Sequence, residues 1–101
     1  MILRFTPEAI ADLTDTKNYI SKTLHNAKAA NRITKSILES CAALKTFPQS
    51  GTMLEILTGQ PSDVRYIVAE NHLIFYRVED GFIMVARILD GRTDYLKVLL
   101  K

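Results

Sequence analysis

Arginine supplies most of the side chains in this sequence that could do chemistry. From position 48 to position 96 every Lys or Arg residue is arginine, namely Arg65, Arg77, Arg87 and Arg92. A guanidinium is a rigid fork of donors that grips a carboxylate or a phosphate through paired hydrogen bonds, and it tolerates partial burial. The pattern predicts fixed donors, directed at an acidic partner, at a phosphate or at an internal carboxylate.

Other reactive residue types are few. Tyr95 follows Arg92 by three positions and could donate a proton, although an apolar anchor for a terminal helix is the favoured interpretation. His72 begins an apolar stretch and is interpreted as structural. Cys41 falls on a helical stripe and is interpreted as packing. One cysteine and two widely spaced histidines provide no metal-ligand set, so we expect neither a metal nor another cofactor.

The composition limits the classes of protein to which the chain could belong. With 101 residues, of which 48% are hydrophobic and 24% charged, the chain suits a single globular domain spanning residues 1–101. A single cysteine excludes an internal disulfide, and no apolar run approaches a membrane span, so a cytoplasmic location is expected. The net charge of +2 permits an acidic partner but is low for a dedicated nucleic-acid binder.

The first half of the chain has the pattern of a strand and two helices. "ILRF" predicts a short strand, and Thr6 with Pro7 predicts the start of a helix whose apolar residues are Ile10, Leu13, Ile20 and Leu24. Asn26 can begin a second helix, which "FPQSG" ends. Its predicted stripe comprises Ala30, Ile33, Ile37, Cys41 and Leu44. Almost no linker separates the helices, which favours an antiparallel hairpin.

In the second half of the chain the residue pattern has a period of two, which predicts a sheet. Two-residue turns at Glu70–Asn71 and Asp80–Gly81 would join three strands. In that register Arg65 and Val85 both oppose Tyr76 on neighbouring strands, and Ile74 opposes Arg87. One face would pack under the helices. The predicted outer face carries Leu73, Phe75, Arg77, Met84 and Ile88.

The fold class predicted is therefore α+β. A short N-terminal strand precedes an antiparallel helical hairpin, which packs on an antiparallel sheet of three or four strands. "TDYLKVLL" adds a short C-terminal helix that ends at Leu100. An apolar face left uncovered on so small a protein would mark an interaction site.

These segments, with "FPQSG", "HLIFYRV", "VARIL" and "GRTDYL", resemble the RelE/ParE toxin superfamily of bacterial type II toxin–antitoxin pairs over nearly the whole chain. The resemblance implies two helices on an antiparallel sheet. It also implies a cognate antitoxin that wraps the toxin, so we expect a hetero-oligomer. An antitoxin segment would lie over the outer face or along the helical hairpin, with acidic residues opposite the arginines.

The resemblance leaves three activities open. ParE-like members inhibit DNA gyrase by binding it, and RelE-like members cut mRNA on the ribosome; a third possibility is an inactive module that only binds antitoxin. Leu73 stands where RelE-like members place an arginine, and residues 64–70 contain no lysine. Both departures favour the ParE-like activity. A nuclease would draw its catalytic groups from Arg65, Arg77, Arg92 and Tyr95.

The roles predicted for individual residues follow from these positions. Arg87 is predicted to be structural, paired with Asp12 or Asp15 of the first helix, and Tyr76 to belong to the core. Arg92 follows Gly91 at an exposed turn, where it would contact a target or pair with a nearby carboxylate such as Asp90. The predicted surface for target or antitoxin comprises Leu73, Phe75, Arg77, Met84, Ile88, Arg92 and Tyr95.

Overall fold

A computed structural model describes residues 1–99 of the chain. The predicted domain end at Lys101 and the predicted helix end at Leu100 lie outside the described residues. The strands are β1 (Ile2–Phe5), β2 (Thr52–Met53), β3 (Arg65–Ala69), β4 (His72–Glu79) and β5 (Phe82–Asp90). The helices are α1 (Pro7–Asn18), α2 (Ala27–Ala43), α3 (Glu55–Thr58) and α4 (Tyr95–Leu99), and a π-helical turn (Tyr19–Thr23) follows α1.

The five strands form one sheet in the order β1-β5-β4-β3-β2. This confirms the α+β class but corrects the description of the sheet, which has five strands and is mixed. β1 pairs with β5 in parallel, whereas the other neighbours are antiparallel. The parallel pair was not predicted because the long crossover that parallel strands need leaves no local turn signal.

The two tight turns of the sheet are confirmed. Ala69 pairs with His72 across Glu70 and Asn71, whose φ angles are 51° and 60°. Positive φ at both central residues is the conformation that matches the twist of a two-residue hairpin. Glu79 likewise pairs with Phe82 across Asp80 and Gly81.

A β-bulge changes the predicted register of β5. Tyr76 pairs with Val85 as predicted, but Phe75 pairs with Arg87, so Ala86 is an extra residue on its strand. Ile74 therefore opposes Ile88, and the prediction that it opposes Arg87 is wrong. A bulge reverses the faces of the residues beyond it.

The reversal moves two apolar residues. Ile88 lies in the core beneath the helices and is 2% exposed, so its predicted place on the outer face is wrong. Leu89 instead joins the cluster on the outer face. The turn chemistry that fixed the register could not reveal the inserted residue.

The helical hairpin begins at capping residues. Thr6 Oγ1 accepts a hydrogen bond from Ala9 N, and Asn26 Oδ1 accepts one from Ala29 N, each at 3.0 Å. The predicted stripe of α2 is buried or half-buried throughout. The stripe predicted for the first helix is wrong at Ile10 and Leu24, which are 56% and 55% exposed.

Two hydrophobic clusters lie on the two faces of the sheet. The larger one joins the helical hairpin to the sheet and is centred on the fully buried Ile37, Ile74, Tyr76 and Val85. The smaller one gathers Phe75, Leu89 and Leu73 beneath α4, so that helix covers part of the outer face. Within residues 1–99, none of the helices combines the length and the apolar character needed to cross a membrane.

Candidate partner-binding site

A cleft of about 1010 Å³ opens between the helical hairpin, the β3–β4 turn and the end of β5. Most of its apolar lining comes from five residues. Ile20 belongs to the π-helical turn and Leu24 directly follows it, Ile33 belongs to α2, and Val68 and Leu73 belong to the paired strands β3 and β4. The cleft therefore offers a concave apolar surface on the protein exterior.

Large apolar side chains at this cleft remain accessible. Tyr19, Leu24 and Val68 are 50%, 55% and 65% exposed. Single exposed apolar residues are common on proteins, but a group of them around one concavity is typical of an interaction site. None of the three was predicted as a site residue. Leu24 was assigned to the apolar stripe of the first helix, and Val68 was not singled out.

The charged lining of the cleft is mainly acidic. Asp15, Glu70 and Asp90 contribute carboxylates, and Arg92 contributes a guanidinium. Glu70 lies 3.4 Å from Arg32, in an exposed pair. Such pairs contribute little to stability, so the Glu70 carboxylate remains available to a cationic partner.

Arg92 is held by Asp90 at the end of β5. Its Nε and Nη2 each donate to the Asp90 carboxylate at 3.1 Å, and its backbone N–H donates at 2.8 Å. The side-chain hydrogen bonds from Arg92, then its backbone hydrogen bond, lower the pKa of Asp90 to about 2. The Arg92 side chain is nevertheless 84% exposed, so it can reach a docked molecule.

His72 lies at the base of the cleft and is 7% exposed. Its Nδ1 is 2.8 Å from the carbonyl oxygen of Glu70, and a carbonyl can only accept, so Nδ1 carries a proton. Its Nε2 lies 3.5 Å from Thr16 Oγ1. Both nitrogens therefore face protein groups, which agrees with a histidine that joins the β3–β4 turn to α1.

The structure separates the residues predicted as one binding surface. Arg92 and Leu73 line the cleft. Tyr95 packs against Phe75 under α4, with ring centroids 5.6 Å apart, and Phe75 is 0% exposed. The remaining members differ again: Arg77 and Met84 lie on the uncovered part of the outer face, and Ile88 is in the core.

Three of the arginines contact protein groups away from the cleft. Arg87 Nε and Nη2 donate to the two oxygens of Asp12 at 2.8 and 2.9 Å, which raises the pKa of Arg87. Arg65 donates to the carbonyl oxygen of Gly51 at 3.0 Å. Arg77 donates to Asp63 at 3.0 Å in an exposed pair.

Tyr76 explains why "FPQSG" precedes the sheet. Its buried hydroxyl donates to the Pro48 carbonyl oxygen at 2.8 Å and accepts from Gly51 N at 2.9 Å. A Cβ atom on Gly51 would lie 2.6 Å from that hydroxyl, so only glycine fits this approach. The loop after α2 is thereby attached to the core.

The arrangement has the features of a binding protein. It presents an apolar cleft edged with charges, and among residues 1–99 no cluster of His, Cys, Asp or Glu is suited to holding a metal ion.

Comparison with known proteins assigns this chain to a family. A family profile described as "ParE toxin of type II toxin-antitoxin system, parDE" matches residues 3–95. The chain therefore belongs to the ParE toxin family. No curated protein sequence matches it. A chain in a solved structure of the chromosomal ParDE toxin–antitoxin system from P. aeruginosa is similar in fold, with a TM-score of 0.74.

That similarity extends over 89% of this chain and 95% of the other, at 22% sequence identity. The structural similarity supports a shared fold, and the family profile identifies the chain as a ParE-type toxin. The RelE/ParE resemblance and the preference for its ParE branch are thereby confirmed. A ParE-type toxin implies an antitoxin partner.

Proposed function

We propose that this toxin binds DNA gyrase and inhibits it in the cytoplasm, as a single domain spanning residues 1–101. A cognate antitoxin would neutralise it within a hetero-oligomer. Membership of the ParE family supports both parts of the proposal.

The observation that carries this proposal is how the arginines are held. Cleavage of RNA needs an acid, a base and cations free to stabilise the charged phosphorane. Arg65 is bound to a backbone carbonyl, whereas Arg77 and Arg92 are paired with aspartates. Tyr95 packs against Phe75. Arg65 and Tyr95 are thus bound to other parts of the protein, whereas the exposed Arg77 and Arg92 can exchange their aspartates for a carboxylate of another molecule, which favours action by binding.

We further propose that the antitoxin occupies the cleft. Of the two positions predicted for it, the helical hairpin is favoured because α4 already covers Phe75 and Leu73 on the outer face. The exposed Tyr19, Leu24 and Val68 would receive apolar anchors. The carboxylates of the cleft favour lysine or arginine on the antitoxin. This differs from the acidic antitoxin residues expected from the arginines alone.

Induction of the toxin in bacterial cells tests the proposed target. Plasmid supercoiling, DNA-damage signalling and translation would be followed in parallel, with and without co-expressed antitoxin. We expect loss of negative supercoiling and DNA damage before translation slows, and recovery with antitoxin. Early translation arrest with cleaved transcripts would instead identify a nuclease, and normal growth would identify an inactive antitoxin-binding module.

A further inference from the structure

A second exposed surface lies on the outer face of the sheet, near the β4–β5 turn. Arg4 of β1 opposes Met84 of β5, and Met84 opposes Arg77 of β4, so the three side chains form a row. Ile2 and Phe82 form the neighbouring pair toward the turn. We refer to Ile2, Arg4, Arg77, Phe82 and Met84 as the Arg4 patch.

Arg4 differs from the other arginines of the chain in what it contacts. Its guanidinium carbon lies 4.6 Å from the centroid of the Phe82 ring, in a cation–π contact. Within residues 1–99, no carboxylate lies within ion-pair distance of it. The ring orients the guanidinium while its hydrogen-bond donors remain free for an external acceptor.

Arg77 supplies a second cation that can change partner. Its side chain is 47% exposed and that of Asp63 is 77% exposed. An ion pair this accessible contributes little, so a carboxylate from another molecule can replace Asp63. The row therefore has a guanidinium at each end and a half-buried methionine between them.

The described part of α4 leaves this patch uncovered. Phe82 and Met84 belong to neither hydrophobic cluster, and Ile2 is 59% exposed. Arginine, methionine and aromatic residues are the types enriched in protein interfaces. The patch thus has the composition of a docking surface for another protein.

We propose that the Arg4 patch binds a segment of DNA gyrase that presents carboxylates beside an apolar side chain. This inference rests on the proposed function and specifies which surface would perform it. A protein segment is favoured over nucleic acid because Glu79, opposite Phe82, and Asp63, beside Arg77, would repel a phosphate backbone. Single carboxylates on a protein segment can contact Arg4 and Arg77 without approaching Glu79 or Asp63.

The patch is separate from the cleft. His72, at the beginning of β4, lines the cleft, whereas Arg77 near the end of the same strand belongs to the patch. No residue of the patch lines the cleft. Substitutions in the patch should therefore weaken gyrase binding and leave antitoxin binding unchanged.

Charge reversal at Arg4 tests the proposal, with Lys45→Glu as the matched control. Both residues are exposed, and both substitutions change the net charge equally, but Lys45 lies in neither surface. Affinities for purified gyrase and for the antitoxin would be measured together with thermal unfolding. We expect Arg4→Glu to bind gyrase roughly tenfold or more weakly. Antitoxin affinity and the melting temperature should match those of the control.

Arg4→Gln removes the charge without reversing it, and it decides the outcome if Arg4→Glu is unstable. Unchanged gyrase binding by a folded Arg4 variant would overturn the assignment of the surface while leaving gyrase inhibition intact. If the wild-type protein did not bind gyrase, both the proposed function and the assignment of gyrase to the Arg4 patch would be wrong. Binding of labelled duplex DNA by the wild type, lost in Arg4→Glu while gyrase binding persists, would assign the patch to nucleic acid and overturn the proposal.

Discussion

At the residue scale, Arg87 holds Asp12 of α1 against the open edge of β5. β1 ends at Phe5, so the edge of β5 beyond Val85 has no neighbouring strand. Asp12 of α1 occupies that position, where it accepts from the Ile88 backbone N–H at 2.9 Å and from both branches of Arg87. The Asp12 side chain is only 12% exposed, so loss of its partner would leave a mostly buried charge.

We predict that Arg87→Ala lowers the free energy of unfolding by about 2–3 kcal/mol, because it leaves a mostly buried carboxylate without its cation. For a chain of this size that corresponds to a fall in melting temperature of roughly 10–20 °C. Arg77→Ala is the control, since it breaks an exposed pair and should cost under about 1 kcal/mol. Equal melting temperatures for the two variants would contradict the structural role proposed for Arg87.

The ion pair between Arg92 and Asp90 should make the stability of the fold depend on pH. The pKa of Asp90 is about 2 in the folded protein, below the ordinary value of about 3.9. A lowered pKa means that the pair stabilises the fold above about pH 4, and that this contribution is lost as the pH falls toward about 2. In Arg92→Ala the backbone N–H remains, so the pKa of Asp90 should rise only part of the way toward its ordinary value.

Carboxyl-carbon NMR titration of wild type and Arg92→Ala would measure that rise. The same variant should keep its fold and its toxicity in a growth assay, because Arg92 lines the cleft proposed for the antitoxin and lies outside the Arg4 patch. An unchanged Asp90 pKa would show that the side-chain hydrogen bonds do not persist in solution. Loss of toxicity in a folded Arg92→Ala would instead add Arg92 to the target-binding residues.

At the scale of elements, the loop after α2 depends on Tyr76. We predict that Tyr76→Phe costs about 1–3 kcal/mol, because it leaves the buried Gly51 N–H and a Pro48 lone pair without a partner. Hydrogen exchange at Gly51 should accelerate while exchange in β5 changes less. Tyr19→Phe is the control, since that ring is half exposed and its hydroxyl makes no protein hydrogen bond among the described residues. Slow exchange at Gly51 in Tyr76→Phe would contradict the attachment.

Elements with local chemical signals could be predicted from the sequence. Thr6 and Asn26 have capping side chains, and Asp80–Gly81 has the composition of a hairpin turn, so these boundaries were predicted correctly. The bulge at Ala86 could not be predicted, because an alanine in an apolar strand carries no mark of an extra residue. The parallel pairing of β1 depends on the whole crossover and also leaves no local signal.

The candidate site was predicted only in part for a related reason. Arg92 and Leu73 were identified, but the cleft is completed by residues of the π-helical turn, Tyr19 and Ile20. That turn changes the helical phase, so residues assigned to one continuous stripe, such as Leu24, point toward the exterior. A stripe drawn at the α-helical period could not show this change.

At the scale of the whole molecule, the cleft is proposed to receive an apolar segment of the antitoxin. We predict that Leu24→Gln weakens antitoxin binding roughly tenfold, the loss expected when one leucine no longer buries its side chain. Ile10→Gln is the matched control, because Ile10 is 56% exposed on α1, compared with 55% for Leu24, and lies outside the cleft. Isothermal titration of each variant with antitoxin would measure the difference. Equal losses in both variants would place the antitoxin elsewhere.

We propose that this ParE-family toxin acts by binding gyrase and that its antitoxin prevents this. A supercoiling assay with purified DNA gyrase tests it most directly, with toxin titrated alone and after mixing with equimolar antitoxin. We predict that the toxin reduces supercoiling in proportion to its concentration and that the antitoxin restores it. Undiminished supercoiling at excess toxin, together with cleavage of mRNA on purified ribosomes, would contradict the account.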